Sequence, residues 1–261
     1  MVSAVLRRGW SAYGPAVGLF VALLLAWELV VRALQVETYF VPAPTQIWRA
    51  AIEVQGVLPG HLRTTLIEAV AGLVLSAVAA VALAAAMVSV PALRRALYPL
   101  LVVSQNVPLV VIAPLIVVWF GFGITPKILV VQTVCFFPIV VNTTEGLLAA
   151  DRDLLELVRS MGGSRWQALR LVRLPAALPA FFSGLKISAS YAVLAAVIGE
   201  WVGASSGLGL FITRAQTSFR TDRVFVAVVV VAAISIALFA LVEVLARLAL
   251  PWRYVKSQED S

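Results

Sequence analysis

Charge is scarce in this sequence: only 13% of its 261 residues are Asp, Glu, Lys or Arg, which is about half the share found in soluble domains. Hydrophobic residues make up 62% of the chain, and the mean hydropathy is +1.00. A soluble domain of this length has no way to bury so much apolar surface. We therefore expect an all-α membrane protein whose helices face lipid.

Histidine and cysteine are almost missing, with one of each, His61 and Cys135. A single histidine and a single thiol in separate segments cannot build a metal site, a catalytic pair or an intrachain disulfide. We interpret Cys135 as a small buried hydrophobe and His61 as a polar residue at the membrane interface. G-x-x-x-x-G-K-[ST], G-x-S-x-G and H-E-x-x-H are also missing. We therefore predict no catalytic residue, no metal and no cofactor bound by this chain, and any ATP must be bound by another subunit.

Long apolar runs, in contrast, occupy most of the chain. Six of them are near the ~20 residues needed to cross a bilayer. They cover residues 14–34, 65–90, 97–120, 127–148, 181–204 and 224–248. We treat residues 1–261 as a single transmembrane domain.

The 20 Lys and Arg residues are distributed unequally between the segments that join these runs. Most of them fall on one side, which carries Arg7, Arg8, Arg253 and Lys256 near the two termini. The positive-inside rule therefore predicts that both termini are cytoplasmic. The net charge of +7 reflects these loops, and we do not expect a nucleic-acid partner.

A short helix is expected between the first two runs, beginning at Pro44 or Thr45. Ile47, Ala51 and Val54 would share its apolar face. We expect it to lie at the outer membrane interface.

Proline interrupts the third run, at Pro108 and Pro114. Proline inside a span frees backbone carbonyls and kinks the helix, so this helix faces either the transport path or other packed helices. Polar or proline residues here and in later spans are our candidates for the path. They are Gln105, Asn106, Pro108, Gln132, Asn142 and Tyr191.

Carboxylates in the spans are few, and most have an arginine or a span end within a turn or two. Glu28, Glu68 and Glu243 are expected either to pair with Arg32, Arg63 and Arg247 respectively or to extend to the membrane interface. Glu200 and Trp201 end the fifth run and are candidates for an outer gate. Glu200 would pair with Arg214 or Arg220, or else be a plain interfacial carboxylate.

The longest polar-rich stretch between two apolar runs is residues 154–179. Asp151 is expected at a helix N-terminus, and Gly162-Gly163 can form a left-handed turn. Ser164 can cap a second helix, which Pro175 would end. The face of that helix would carry Trp166, Leu169 and Val172. A basic amphipathic helix on the membrane surface would have a similar composition.

The spacing within this stretch is E-x-x-x-x-x-G, nine residues, then aliphatic-x-L-P, represented by Glu156, Gly162, Val172, Leu174 and Pro175. This frame resembles the "EAA" loop of the membrane subunits of bacterial ABC importers. Leu157 and Val158 stand where that loop has two alanines. Further segments, VPAPTQIW, QNVPLVVIAPLIVVWFGFG and GEWVGASSGLG, resemble the nitrate/sulfonate/taurine branch of these permeases. Within it, the third and fourth runs look closest to permeases for pyrimidine precursors of thiamine.

The resemblance implies the type I ABC importer permease fold, with about six transmembrane helices and a cytoplasmic coupling helix-turn-helix at residues 151–179. It implies that the coupling loop contacts an ATPase subunit through Glu156, Gly162, Gly163, Arg165, Trp166, Leu174 and Pro175. The implied assembly lies in the bacterial inner membrane. It has two ATPase subunits that bind ATP and Mg, an extracytoplasmic solute-binding protein, and a second permease copy, as a homodimer or with a paralogue.

Two other functions are weighed against an importer for a small polar solute. An ion-coupled secondary transporter would carry carboxylates deep in several spans, often within inverted repeats. An intramembrane enzyme would need a nucleophile and base, or metal ligands, at membrane depth. Neither pattern is present in this sequence.

Overall fold

The computed structural model describes residues 2–251, with side chains from Gly14 onward. The charges of Arg7, Arg8, Arg253 and Lys256, which contributed to the predicted orientation, lie outside the described side chains. The helices are α1 (Val2–Ala33), α2 (Pro44–Glu53), α3 (Leu58–Ser89), α4 (Pro91–Ser104), α5 (Leu109–Phe120), α6 (Ile124–Leu148), α7 (Arg152–Ser160), α8 (Arg165–Ala168), α9 (Leu174–Glu200), α10 (Leu208–Thr217) and α11 (Thr221–Ala249). A π-helical turn, Leu169–Arg173, joins α8 to α9. No strand occurs within residues 2–251, as the composition predicted.

Five helical segments are long and apolar enough to cross a membrane, namely 14–33, 58–89, 124–148, 165–200 and 221–249. The helices α4 and α5 meet at an angle of 108°, so together they form either one broken span or a re-entrant loop. The prediction of one kinked helix over residues 97–120 is therefore wrong. Pro108 lacks an N–H and its backbone is extended, with ψ 124°, so the helix stops before it and starts again after it. Pro114 lies within α5 without ending it.

The helix that follows Ser164 does not end at Pro175, contrary to prediction. It continues through the π-helical turn and α9 to Glu200, so the helix that contains the predicted fifth span begins at Arg165, well before residue 181. A proline in an α-helix removes one hydrogen bond and clashes with the carbonyl four residues earlier. The π-helical turn inserts one residue into the helical register just before Pro175, which lets the helix pass the proline.

The described chain forms two compact units, the first being residues 2–59 with 211–229 and the second residues 60–210 with 230–251. The first unit contains the predicted short helix, α2. The Glu28 carboxylate accepts hydrogen bonds from the backbone N–H of Thr45 at 3.0 Å and from its hydroxyl at 2.8 Å. Glu28 thereby satisfies an N–H in the first turn of α2. Its predicted pairing with Arg32 is confirmed.

In the second unit, α6 and α9 pack most closely because small residues lie between them. A Cβ built on Gly184 would stand 2.6 Å from the carbonyl oxygen of Pro138. Ser188 Oγ donates to the carbonyl of Cys135 at 2.8 Å, and Cys135 Sγ donates to the carbonyl of Ser188 at 3.5 Å. Cys135 is fully buried, so its interpretation as a buried small residue is confirmed. In lipid, close approach and hydrogen bonds of this kind replace the hydrophobic effect as the force between helices.

Replacing Gly184 with alanine tests this packing. We expect Gly184→Ala to lower the free energy of unfolding by about 1–3 kcal/mol, since the added methyl group overlaps the α6 backbone. Gly60→Ala is the matched control, because no atom lies within 4 Å of a Cβ at that position, and it should be neutral or slightly stabilising. The measurement is thermal unfolding of the purified chain in detergent. Equal melting temperatures for both variants would contradict the assigned packing.

Candidate functional site

The stretch between α6 and α9 forms a capped helix-turn-helix. Asp151 Oδ1 accepts from the backbone N–H of Asp153 at 2.8 Å and caps α7. Ser164 and Gln167 form a reciprocal capping box at the start of α8, with distances of 2.7 and 3.3 Å. The predicted caps are confirmed. Both ends of the turn are therefore fixed by side chains.

The turn itself depends on its two glycines for different reasons. Gly162 adopts φ +77°, a left-handed conformation that disfavours other residues. Gly163 does not, but a Cβ there would stand 2.6 Å from the carbonyl oxygen of Val158. Leu155, Ala168 and Ala150 form a small buried cluster under the turn.

The exposed face of this helix-turn-helix is unusually apolar for a connecting segment. Leu157, Met161 and Trp166 are 55%, 79% and 64% exposed, and Glu156 is exposed beside them. We call these four residues the α7–α8 patch. The prediction that Trp166 shares one helix face with Leu169 and Val172 is wrong. Leu169 is buried and Val172 is half-buried, whereas Trp166 is exposed.

The remaining predicted coupling residues lie behind or beside this patch. Arg165 lines a cavity of about 330 Å³ together with Arg159 and Arg173. Leu174 is half-buried and Pro175 exposed at the first turn of α9. These two residues therefore belong to the long helix rather than to the loop.

A second cavity, of about 350 Å³, lies at the break between α4 and α5. We call it the break cavity. Two of the predicted path residues line it, Gln105 and Tyr191. Among the lining residues that the sequence analysis missed are the polar or aromatic side chains of Ser104, Thr133 and Phe137. The spacing of Thr133 and Phe137, four residues apart on one helix face, was the available signal.

The other path candidates lie elsewhere. Asn106 donates to the carbonyls of Val102 and Val103 at the end of α4, and Pro108 precedes α5. Gln132 lines a neighbouring cavity of about 410 Å³. Asn142 donates to the carbonyl of Pro138 at 2.8 Å within α6. The break cavity therefore brings together only part of the predicted set.

Glu200 does not pair with an outer arginine, and it is not a plain interfacial carboxylate. It is 1% exposed, and it accepts hydrogen bonds from Thr65 Oγ1 at 2.6 Å and from the backbone N–H of Gly209 at 2.5 Å. His61, expected as a polar residue at the membrane interface, is buried within the protein at 9% exposure. Trp201, next in the chain, is half exposed.

Two further carboxylates were assigned a partner from the sequence. Glu243 is bound to Arg247 at 2.9 Å, as predicted, and also to Lys186 at 2.8 Å. The predicted pairing of Glu68 with Arg63 is wrong, since Glu68 is 2% exposed and faces Glu200, whereas Arg63 is exposed.

Arg220 binds acids of the first unit instead of Glu200. Its Nη2 lies 2.8 Å from both Glu53 Oε2 and Asp222 Oδ2. The hydrogen bond and positive charge of Arg220 hold the pKa of Glu53 below its usual value. This cluster ties the end of α2 to the segment before α11.

The ion pair gives a pH-dependent prediction. A lowered pKa means that Glu53 stabilises the folded state above its unfolded-state pKa, and that this contribution is lost as the pH falls through the folded-state pKa. Arg220→Gln should therefore lower the melting temperature at pH 7, and the difference from wild type should shrink below about pH 4. Arg49→Gln, a charge change on the exposed side of α2, is the control and should show no such dependence. A difference that stays constant from pH 7 to pH 3.5 would contradict the assignment.

Comparisons with known proteins place these features in context. The family model described as "Binding-protein-dependent transport system inner membrane component" matches residues 72–251. The formylaminopyrimidine transport permease protein ThiX of Halalkalibacterium halodurans is 36% identical over 95% of this chain and 99% of its own length. The riboflavin transport system permease protein RibX of Chloroflexus aurantiacus is 36% identical over 96% and 94%. The taurine transport system permease protein TauC of Escherichia coli is 29% identical over 91% and 89%.

The fold comparison gives a consistent result. An inward-facing structure of the MetNI methionine ABC transporter matches with a TM-score of 0.60 at 20% identity, and the match covers 74% of this chain and 95% of the other. At that identity the likeness concerns the arrangement of helices alone.

Proposed function

This chain belongs to the family of binding-protein-dependent transport system inner membrane components, and on that premise we propose how its parts act in an ATP-driven importer. It is the permease subunit of such an importer. In our proposal, the helix-turn-helix of α7 and α8 is the contact for the ATPase, and the break cavity belongs to the path of the solute.

The α7–α8 patch is the observation that carries the coupling proposal. Several large apolar side chains left exposed on two consecutive short helices are typical of a surface that binds another protein. The caps at Asp151 and Ser164 make the segment rigid. A displacement of α7 therefore moves α8 with it and does not deform the turn between them. Because α8 continues into α9 without a break, movement of the patch is passed directly to a membrane span. The proposed contact residues are Glu156, Gly162, Gly163, Arg165, Trp166, Leu174 and Pro175.

We propose the following assembly. Two ATPase subunits bind ATP and Mg and contact the α7–α8 patch of two permease copies, which form a homodimer in the inner membrane. A solute-binding protein docks on the opposite side. The excess of Lys and Arg on the side of this loop supports cytoplasmic termini. ATP binding closes the ATPase pair and turns the permease from inward-open to outward-open.

Trp201, half exposed at the end of α9, is the proposed outer-gate side chain, and Glu200 holds the turn behind it.

The lining of the break cavity favours an uncharged heteroaromatic solute. None of the residues that line it carries a charge, so it offers no cation to a sulfonate. Phe137 and Tyr191 provide aromatic faces, while Gln105, Ser104 and Thr133 provide neutral hydrogen-bonding groups. Such a lining suits a pyrimidine, which is also the solute class in the name of the ThiX permease. We therefore propose a pyrimidine precursor over taurine or other sulfonates.

The coupling proposal is tested by Gly162→Arg. A side chain at φ +77° strains the turn by about 1–2 kcal/mol and distorts the α7–α8 patch, while the spans remain intact. We expect the variant to reach the membrane, and the reconstituted complex to hydrolyse ATP without uptake. Gly56→Arg is the control, since that glycine has open space around it and no left-handed backbone. Normal uptake by Gly162→Arg would remove the coupling role from this loop.

The solute proposal is tested with cavity variants. Gln105→Ala and Tyr191→Ala should each lower the efficiency of pyrimidine uptake about 2- to 10-fold, corresponding to one lost hydrogen bond or ring contact. Asn106→Ala is the neighbouring control, because Asn106 bonds to its own helix and not to the cavity. Uptake of labelled aminopyrimidine and of labelled taurine is measured in parallel. Transport of taurine alone would show that the proposed solute class is wrong.

A further inference from the structure

Three consecutive backbone N–H groups begin α10, and each is bound by a side chain from another helix. Gly207 N–H donates to His61 Nδ1 at 3.0 Å, Leu208 N–H to Thr65 Oγ1 at 2.8 Å, and Gly209 N–H to Glu200 Oε2 at 2.5 Å. The first N–H groups of a helix have no partner within the helix. Here α3 and α9 supply the acceptors that a local cap would otherwise provide.

The turn that carries these groups is folded directly onto the Glu200 carboxylate. Gly207 has φ +122°, and a Cβ at this position would overlap the Glu200 carboxylate. A Cβ on Gly209 would overlap the carbonyl oxygen of Val197 and stand 2.8 Å from Glu200 Cβ. The sequence G-L-G is thus required for the turn to close over this side chain. Little space remains there for a hydration shell.

Glu68 lies beside Glu200, and its bonding is incomplete if both carboxyls are ionised. It is 2% exposed, and its Oε2 is buried without a donor among the described residues. The Glu68 and Glu200 carboxyl groups are neighbours, close enough to share a hydrogen bond. Two carboxylates cannot form that bond, because a carboxylate only accepts. Two adjacent charges at such burial would also repel strongly.

Among the described residues, the other ionisable groups near the pair are Lys127 and His61. Lys127, 4% exposed on α6, interacts electrostatically with both carboxyls, and its ammonium donates to the carbonyl of Gly123 at 2.5 Å. His61 Nδ1 is occupied as an acceptor by Gly207. One positive charge balances one carboxylate and leaves the second to be neutralised by other means.

We propose that Glu68 and Glu200 form a buried proton-binding site that holds one proton between the two carboxyl groups. Glu200 is the carboxylate, because it already accepts bonds from Thr65 and Gly209. Glu68 is the carboxylic acid, and its O–H donates to Glu200. With Lys127 charged, the site is then neutral overall. The shared proton fastens α3 to the turn between α9 and α10.

A bound metal ion is a weaker explanation of the same pair. Among the described residues, no group of three or more His, Cys, Asp and Glu side chains is placed to hold one. Lys127 already supplies a positive charge to the pair, and that charge would repel a bound cation.

Infrared spectroscopy of the intact permease at pH 7 tests the proton directly. A protonated carboxylic acid has a C=O stretching band that an ionised carboxylate lacks. We expect this band in the wild-type chain and its loss in Glu68→Gln, which keeps the shape and donates a hydrogen bond from its amide. Absence of the band in the wild type, or its persistence in Glu68→Gln, would overturn the proposal.

Thermal unfolding separates the roles of the two glutamates. Glu68→Gln mimics the protonated acid and should melt within about 2 °C of wild type, whereas Glu200→Gln removes the accepting charge and should melt about 5 °C lower or more. Glu37→Gln, an exposed change, is the matched control. If Glu200→Gln does not accumulate, the band and the melting temperature of Glu68→Gln still decide the question. Equal losses for Glu68→Gln and Glu200→Gln, or stability that depends on added sodium, would show that no shared proton is present.

Discussion

Backbone polar groups that leave a helix within a membrane protein must find partners inside the protein. In lipid, an unbonded N–H or C=O costs several kcal/mol. Four helices of this chain begin where a side chain supplies an acceptor. Glu28 reaches α2, Asp151 and Ser164 begin α7 and α8, and Glu200 reaches the start of α10. Three of these four caps are carboxylates, which complement the positive end of the helix dipole.

The same constraint explains why prolines have such different effects in this chain. Pro108 coincides with a complete break and a cavity, because the chain there leaves the helical conformation altogether. Pro175 instead follows a π-helical turn that keeps the helix continuous. Continuity at Pro175 links an exposed surface segment to a span, while the break at Pro108 opens a lined space. Under the proposed function, the continuous helix would transmit force and the break would admit solute.

Close approach at glycines and hydrogen bonds between helices together stabilise the packing of the second unit. Gly184 lets α6 and α9 approach until backbone meets backbone, and Ser188 and Cys135 bond across them. Glu200, in contrast, is enclosed by a turn whose glycines leave room for nothing else. Close contacts of this kind specify one arrangement of helices in a solvent that provides no hydrophobic driving force between them.

The sequence by itself determined the class of this protein, because scarce charge, six apolar runs and the spacing from Glu156 to Pro175 are local properties that survive without any tertiary contact. It also determined the caps at Asp151 and Ser164 and the pairing of Glu28 with Arg32, which involve residues only two to four positions apart. Only the tertiary structure decided that Gln105 and Tyr191 share a cavity, and that Glu68 faces Glu200 rather than Arg63. Those contacts join residues more than eighty positions apart, and periodicity carries no information on which helix faces which. The continuity of the helix through Pro175 was likewise decided by a change of hydrogen-bond register, which residue propensities alone do not encode.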